Sequence, residues 1–274
     1  MHMRQRTITA LWAIPLLLVF VYSDTPALGF PLLIFLIGLL AILGSIEFYR
    51  LATLAGGQPL TIFGMALALL FVISAHFDDI YVTSSLLASS AALPLVWLLG
   101  FRREKLLINW GWTLAGILYM GWMLSHYVIL RESNHGRELV FFAVFCTFAC
   151  DTAAFLIGRT WGKHLLAPTV SPKKTWEGAI AGFVAAAAAA LVLRIVLNLG
   201  DWGLPLSYVQ TIALGCLIGL FAQLGDLLES LIKRRAGAKD SGRLMPGHGG
   251  ILDRIDSLVF TGAIVYYYVI WVVE

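Results

Sequence analysis

The residue types best suited to chemistry gather between Ser230 and Asp256, in the stretch SLIKRRAGAKDSGRLMPGHGGILDRID. Lys233, Arg234, Arg235, Lys239, Arg243 and Arg254 stand there among Asp240, Asp253 and Asp256, with the run Pro246, Gly247, His248, Gly249, Gly250 as a hinge between them. Cations hold phosphates, carboxylates hold a hard divalent metal, and glycines let backbone N–H groups approach an anion. Phosphoryl or nucleotidyl transfer needs all three.

Helices must position these groups. Asp226, Glu229, Ser230 and Lys233 follow spacings of three, four and seven, which place them on one helical face. Asp253 and Asp256 share a face of the next helix, and where the two faces meet, Asp226 and Asp253 are expected to converge on one metal site. Asp151 precedes Arg159 by eight residues, and Asp226 precedes Lys233 by seven. Each carboxylate therefore lies roughly 10 Å below the end of its helix at about 1.5 Å per residue. A charge at that depth is costly in lipid unless it is paired, solvated or used, so a polar funnel is one reading and a buried ion pair such as Asp226 with Arg254 is the other. Glu47, beside Arg50, reads equally as a snorkelling end charge or a site residue.

A second group follows Asp151: Gly158, Arg159, Gly162, Lys163, and the string Ser171-Pro172-Lys173-Lys174-Thr175-Trp176-Glu177-Gly178. Ser171 or Thr175 can cap the helix that follows, and Lys173 and Lys174 then lie where backbone N–H groups also favour an anion. Cys146, Cys150 and Cys216 are too few and too dispersed for a disulfide framework, and the first two, one helical turn apart, read as small buried hydrophobes.

The frame around these residues is a membrane. The 274 residues are 59% hydrophobic and 13% charged, with net charge +3 and a mean hydropathy of +0.85, which excludes a water-soluble globule. Nine apolar stretches approach the length needed for a bilayer core of about 30 Å. They run roughly over 8–22, 30–48, 60–75, 82–101, 106–130, 139–157, 176–199, 208–232 and 251–273. The first is read as an uncleaved helix rather than a signal peptide, because no small-residue cleavage site follows it. Fifteen of the 19 Lys and Arg then fall on one side, against Arg131, Arg137 and Arg194 on the other and Arg254 within the ninth stretch. The positive-inside rule makes the crowded side cytoplasmic, with the N-terminus inside and the C-terminus outside. The fold class expected is all-α, one polytopic membrane domain, with 1–135 as scaffold and 139–274 carrying the site. The run Ala185 to Ala190 reads as a small-residue packing face.

The string from Ser230 to Asp256 resembles the signature of the phosphatidate cytidylyltransferases, also called CDP-diacylglycerol synthases: Ser, two residues, Lys-Arg, four residues, Lys-Asp, then Pro-x-His-Gly-Gly and Asp-Arg-x-Asp. Met245 is a conservative departure from that pattern. Cys150 to Arg159, Ser171 to Gly178 and Gly225-Asp226 with Glu229-Ser230 are also similar, while the first 130 residues match mainly in hydropathy. The resemblance implies transfer of CMP from CTP to phosphatidic acid, with release of pyrophosphate, on the cytoplasmic side of a membrane of the bacterial inner-membrane type. It implies Mg²⁺ held by Asp226 and Asp253, the number of cations being left open, and catalytic roles for Lys239, Asp240 and Asp256. Substrate contacts fall to Asp151, Ser171, Lys173, Lys174, Lys233, Arg234, His248, Gly249, Gly250 and Arg254. Membrane lipids and a second copy of the chain are the partners implied, and nucleic acid is not.

Two other classes compete. A transporter could bury Asp151 and Asp226 in a bundle with a basic vestibule, but its site residues should spread through both halves of a repeat. Another lipid-phosphate enzyme, a CDP-alcohol phosphotransferase or polyprenol kinase, is the nearer rival; the Asp-Gly-x-x-Ala-Arg motif of the former is absent, as is a P-loop. The charge asymmetry has a direct check in a background without native cysteines. A cysteine placed in the loop between Lys233 and Gly250 should react with a membrane-impermeant maleimide only from the cytoplasmic side, and one after Val273 only from outside. Labelling of both from one face would require an even number of crossings.

Overall fold

The computed structural model describes residues 19–25, 30–77, 79–100, 105–199, 203–242 and 249–273. The first expected span lies almost wholly outside the described residues, as do Arg4, Arg6, Arg102, Arg103 and the segment from Arg243 to His248. A short pairing of β1 (Asp24–Thr25) with β2 (Phe30–Pro31) leads into α1 (Leu32–Leu54) and α2 (Thr61–Ser74), which ends in a 3₁₀ turn at Ala75–Phe77. Then come α3 (Ile80–Gly100), α4 (Leu106–Glu132) and α5 (Gly136–Thr160), a hairpin of β3 (Leu165–Ala167) with β4 (Ser171–Thr175), and α6 (Trp176–Leu199), α7 (Tyr208–Arg235) and α8 (Leu252–Tyr268). A π-helical stretch, Val269–Val273, extends α8.

The protein is thus an all-α, multi-pass membrane protein. Among the described residues seven helices have the length and apolarity to cross a bilayer, α1 and α3 to α7 together with α8 and its extension. The remaining apolar helix, Thr61–Phe77, is shorter: its 17 residues reach only about 26 Å at 1.5 Å per residue. One sequence expectation changes form. The string from Ser171 to Thr175 is a β-strand paired antiparallel with Leu165–Ala167, a short polar hairpin rather than a plain loop. Thr175 does cap α6, since its hydroxyl accepts from the Gly178 N–H at 3.2 Å. At α7 a capping box starts the helix: Ser207 Oγ accepts from the Gln210 N–H, and Gln210 Oε1 accepts from the Ser207 N–H at 2.8 Å. The last turn of α7 carries Lys233, Arg234 and Arg235, cations where the helix dipole is negative.

Without water to drive association, helices in lipid pack through close contact. The helices α5, α6 and α7 meet along a seam of small residues. A Cβ on Gly182 would lie 2.9 Å from the Cys150 carbonyl oxygen, and one on Gly219 would lie 3.0 Å from the Phe183 Cα. Ala186 and Ala190, from the run read as a packing face, are fully buried in that seam. In the first half, the Tyr49 hydroxyl donates to the Thr113 carbonyl at 2.9 Å and its ring packs on Gly64 and Gly116, tying α1 to α2 and α4. The two halves join where Tyr127 of α4 donates to the Leu258 carbonyl at 3.1 Å and meets Thr261 at 2.9 Å on α8. The seam can be tested by overpacking. Gly219→Val should lower stability in detergent by roughly 1 to 3 kcal/mol, read as a drop in melting temperature, whereas Leu220→Val on the exposed side of the same turn should leave it unchanged.

Candidate active site

Five elements converge on one polar centre. On α7, Asp226, Glu229 and Lys233 share a face, as their spacing requires. Close approach of α8 depends on Gly225, because any Cβ there would run into the Asp256 carbonyl and the Phe260 ring. That contact brings Asp256 beside Asp226 and Glu229, and oxygens of these three carboxylates lie within 4.8 Å of one another. From α5, Asp151 Oδ1 accepts from the Ser257 hydroxyl of α8 at 3.2 Å, within electrostatic reach of Asp226. From β4, Lys174 reaches inward to Asp226 Oδ2 at 2.7 Å, while its neighbour Lys173 is exposed.

Glu229 is fully buried. Its Oε2 pairs with Lys233, one turn on, and its Oε1 finds no hydrogen-bond donor among the described residues. Lys233 also meets Asp253 Oδ1 at 2.6 Å, so one ammonium bridges α7 and α8. Asp253 is heavily engaged. Besides Lys233, it accepts from the backbone N–H and hydroxyl of Ser241, both at 2.9 Å, and from the Gly250 N–H at 2.8 Å. The grouping expected from the sequence, Asp226 with Asp253, therefore differs from the one found: Asp226 stands with Glu229 and Asp256, and Asp253 holds the chain on either side of the loop. The cause is the position of Asp253 at the start of α8, where the N–H groups of Ser241 and of Gly250, just before the helix, compete for its oxygens.

Glu47 of α1 is no snorkelling end charge. It is buried, and its carboxylate accepts from the Ser241 hydroxyl at 2.8 Å, the Ile251 N–H at 3.1 Å and the Leu252 N–H at 2.9 Å. It caps α8 from another helix and adds negative charge at the positive end of the helix dipole. Gly249 adopts φ +83, a conformation that favours glycine, and Gly250 leaves room for Glu47. Arg234 donates from Nε to the Val170 carbonyl at 3.1 Å, pinning the hairpin tip to the end of α7. Lys239, Asp240 and Arg254 are exposed around the centre, and Ser171 is half-buried on β4. His248 lies outside the described residues.

Sequence reasoning underrated two carboxylates. Glu229 carried two signals, its spacing of three from Asp226 and its place in the family-like Glu229-Ser230 pair, yet it was given no role; Glu47 carried only its position beside Arg50 at the end of an apolar helix. The centre is of a definite class: clustered carboxylates paired with lysines between apolar helices. The chain belongs to the cytidylyltransferase family, whose sequence model matches residues 4–272. It is similar to a phosphatidate cytidylyltransferase of Brucella suis, 44% identical over 158 residues, 57% of this chain and 56% of the relative. A phosphatidate cytidylyltransferase of Synechocystis is 33% identical over 263 residues, covering 85% of this chain and 87% of the relative. Phosphatidate cytidylyltransferase 5, chloroplastic, of Arabidopsis thaliana is 38% identical over 226 residues, 74% of this chain and 54% of the relative. The chain spans about half the length of the Brucella and Arabidopsis relatives.

Glu47 offers a clean test of the loop anchor. Glu47→Ala leaves the Ile251 and Leu252 N–H groups without their acceptor, each costing about 1 to 3 kcal/mol when buried, while the Ser241 hydroxyl keeps Asp253. The variant should melt earlier and be cut faster by limited proteolysis near Ser241, while Glu47→Gln, which keeps one acceptor oxygen, should fall between it and the wild type.

Proposed function

We propose that the protein transfers CMP from CTP to phosphatidic acid, forming CDP-diacylglycerol and pyrophosphate, at the cytoplasmic face of a bacterial-type inner membrane. The observation that carries this reading is the carboxylate group at the crossing of α7 and α8, flanked by Lys174 and Lys233, in a chain of the cytidylyltransferase family. The charge asymmetry supports the orientation, and nine crossings with the N-terminus inside remain our reading of the topology. We extend the reading to a homodimer on the family resemblance.

The residues present fit a hard divalent cation. Asp226, Glu229 and Asp256 supply oxygen ligands only, and the buried Glu229 Oε1 lacks a hydrogen-bond donor among the described residues. Mg²⁺ held by these groups would neutralise charge on the triphosphate. Asp253 is assigned a supporting part, fixing Lys233 and the Ser241 and Gly250 segments.

In the reaction an oxygen of the lipid phosphate bonds to the α-phosphorus of CTP, the bond to the β-phosphate breaks, and pyrophosphate departs with the electron pair. A phosphate monoester has its second pKa near about 6 and is already mostly ionised at neutral pH, so no general base is assigned. The protein's task is to bring two polyanions together. Lys174 and Lys233 lie at the centre for this, and we assign Lys173, Lys239, Arg234 and Arg254, all exposed, to contacts with the substrates. Fixed cations of this kind stabilise charge on the departing pyrophosphate.

Purified protein with labelled CTP, phosphatidic acid and Mg²⁺ should yield lipid-linked CMP. Asp226→Asn and Asp256→Asn should each reduce turnover by about 100-fold or more, the scale of losing one electrostatic contributor to a transition state, with melting in the absence of metal unchanged or higher. Lys173→Ala should chiefly raise the KM for CTP. Wild-type protein that turns over no nucleotide with any phosphatidic acid would sink the assignment. Asp226 and Asp256 variants that melt early and regain activity on cooling would return those carboxylates to structural ion pairing.

A further inference from the structure

Beside the carboxylate group lies an apolar cavity of about 310 Å³ whose walls include Phe48, Trp112, Ala115, Tyr119, Leu228 and Ile232. It reaches the outer surface, where Ala115 and Leu228 are exposed, and in a bilayer that surface meets hydrocarbon. Leu228 immediately precedes Glu229, so one turn of α7 forms both the cavity wall and part of the carboxylate group.

Tyr119 joins the two environments. Its ring lines the cavity and packs on Phe48 and Phe260, each at 5.9 Å between centroids. Phe260 lies one turn beyond Asp256 and against Gly225, so this stack brings Tyr119 to the α7 and α8 crossing. The Tyr119 hydroxyl is buried, has no hydrogen-bond partner among the described residues, and lies within electrostatic range of Asp256, Glu229 and Asp226. Buried phenols ordinarily find a partner, so a lone one beside a polar centre points to a ligand that supplies it. The backbone marks the same place: α4 is π-helical over Ile117–Trp122, and such rare turns concentrate at functional sites.

We propose that this cavity takes one acyl chain of the lipid phosphate and that the Tyr119 hydroxyl donates to an oxygen of the lipid head where cavity and carboxylate group meet. The assignment rests on the reaction proposed above and adds to it a lipid subsite between α1 and α4 of the first half and α7 of the second. An apolar tail fills the cavity at no polar cost, and the phenol anchors the boundary between tail and head.

The full chain in lipid nanodiscs provides the test. Phosphatidic acid with a photoactivatable diazirine midway along one acyl chain should label peptides containing residues 112–123 and 228–232 several-fold more strongly than phosphatidylcholine with the same chains. Equal labelling by both lipids, or none at those peptides, would overturn the subsite whether or not CTP is consumed. Ala115→Trp, on the exposed rim, should raise the KM for long-chain phosphatidic acid by about tenfold, the scale of losing a methylene's worth of apolar pocket, and leave the KM for CTP and for a dioctanoyl lipid near wild type. Tyr119→Phe removes an oxygen that has no partner in the protein, so melting should hold or rise. Its turnover should fall by about tenfold, the scale of one hydrogen bond to a charged group, with the KM for CTP unchanged. Unaltered kinetics, or a loss of stability in parallel with activity, would remove the hydroxyl's part. A wild-type protein that makes no lipid-linked CMP would defeat the reaction reading instead, and the labelling contrast would still report on the cavity.

Discussion

Mutual repulsion among Asp226, Glu229 and Asp256 is the constraint to which the surrounding structure answers. Two unit charges 4.8 Å apart repel by roughly 3 kcal/mol at an effective dielectric of about 20. A folded domain is stable by only about 5 to 15 kcal/mol, so three such charges cannot be held together without countercharge. Lys174 and Lys233 pair with two of the three, one from a hairpin and one from the same helix as its partner. A divalent cation, as proposed above, would complete the same balance more compactly, because one ion can meet oxygens from all three carboxylates.

Holding the group also demands helices closer than large side chains allow. Gly225 admits the α8 backbone at the level of Asp226, and the seam around Gly182 and Gly219 lets α5, α6 and α7 lie side by side. The site and its packing are therefore one problem: the residues that set interhelical distance stand next to, or one or two turns from, the residues that carry charge.

Part of this was readable from the chain alone. Helical spacing placed Asp226, Glu229 and Lys233 on one face, Thr175 was a capping candidate, and the Ala185 to Ala190 run was a packing face. The partners of Asp253 were not readable, because they depend on how α8 is rotated against α7 and on backbone N–H groups of Ser241 and Gly250, which carry no periodic signal. The β-hairpin hid in a stretch too short to show strand alternation, although its lysines were read as anion contacts. In the first half, Glu47 and Tyr119 sit in apolar helices with no motif around them, and a π-helical turn has no sequence signature that would single it out. A stretch that reads only as scaffold thus supplies an anchor for the loop and one wall of the cavity.

The Glu47 anchor has a temporal side. Its backbone partners lie 204 and 205 residues further along the chain. At a synthesis rate of about 5 to 20 residues per second, a newly inserted α1 waits roughly 10 to 40 s before those donors exist. During that interval its carboxylate has to remain hydrated or protonated near the end of an apolar helix, in a bundle that cannot yet close around it. Docking of α8 removes this defect: a chain truncated before Ile251 would carry an unanswered acid on α1, which is a feature that membrane quality control can recognise.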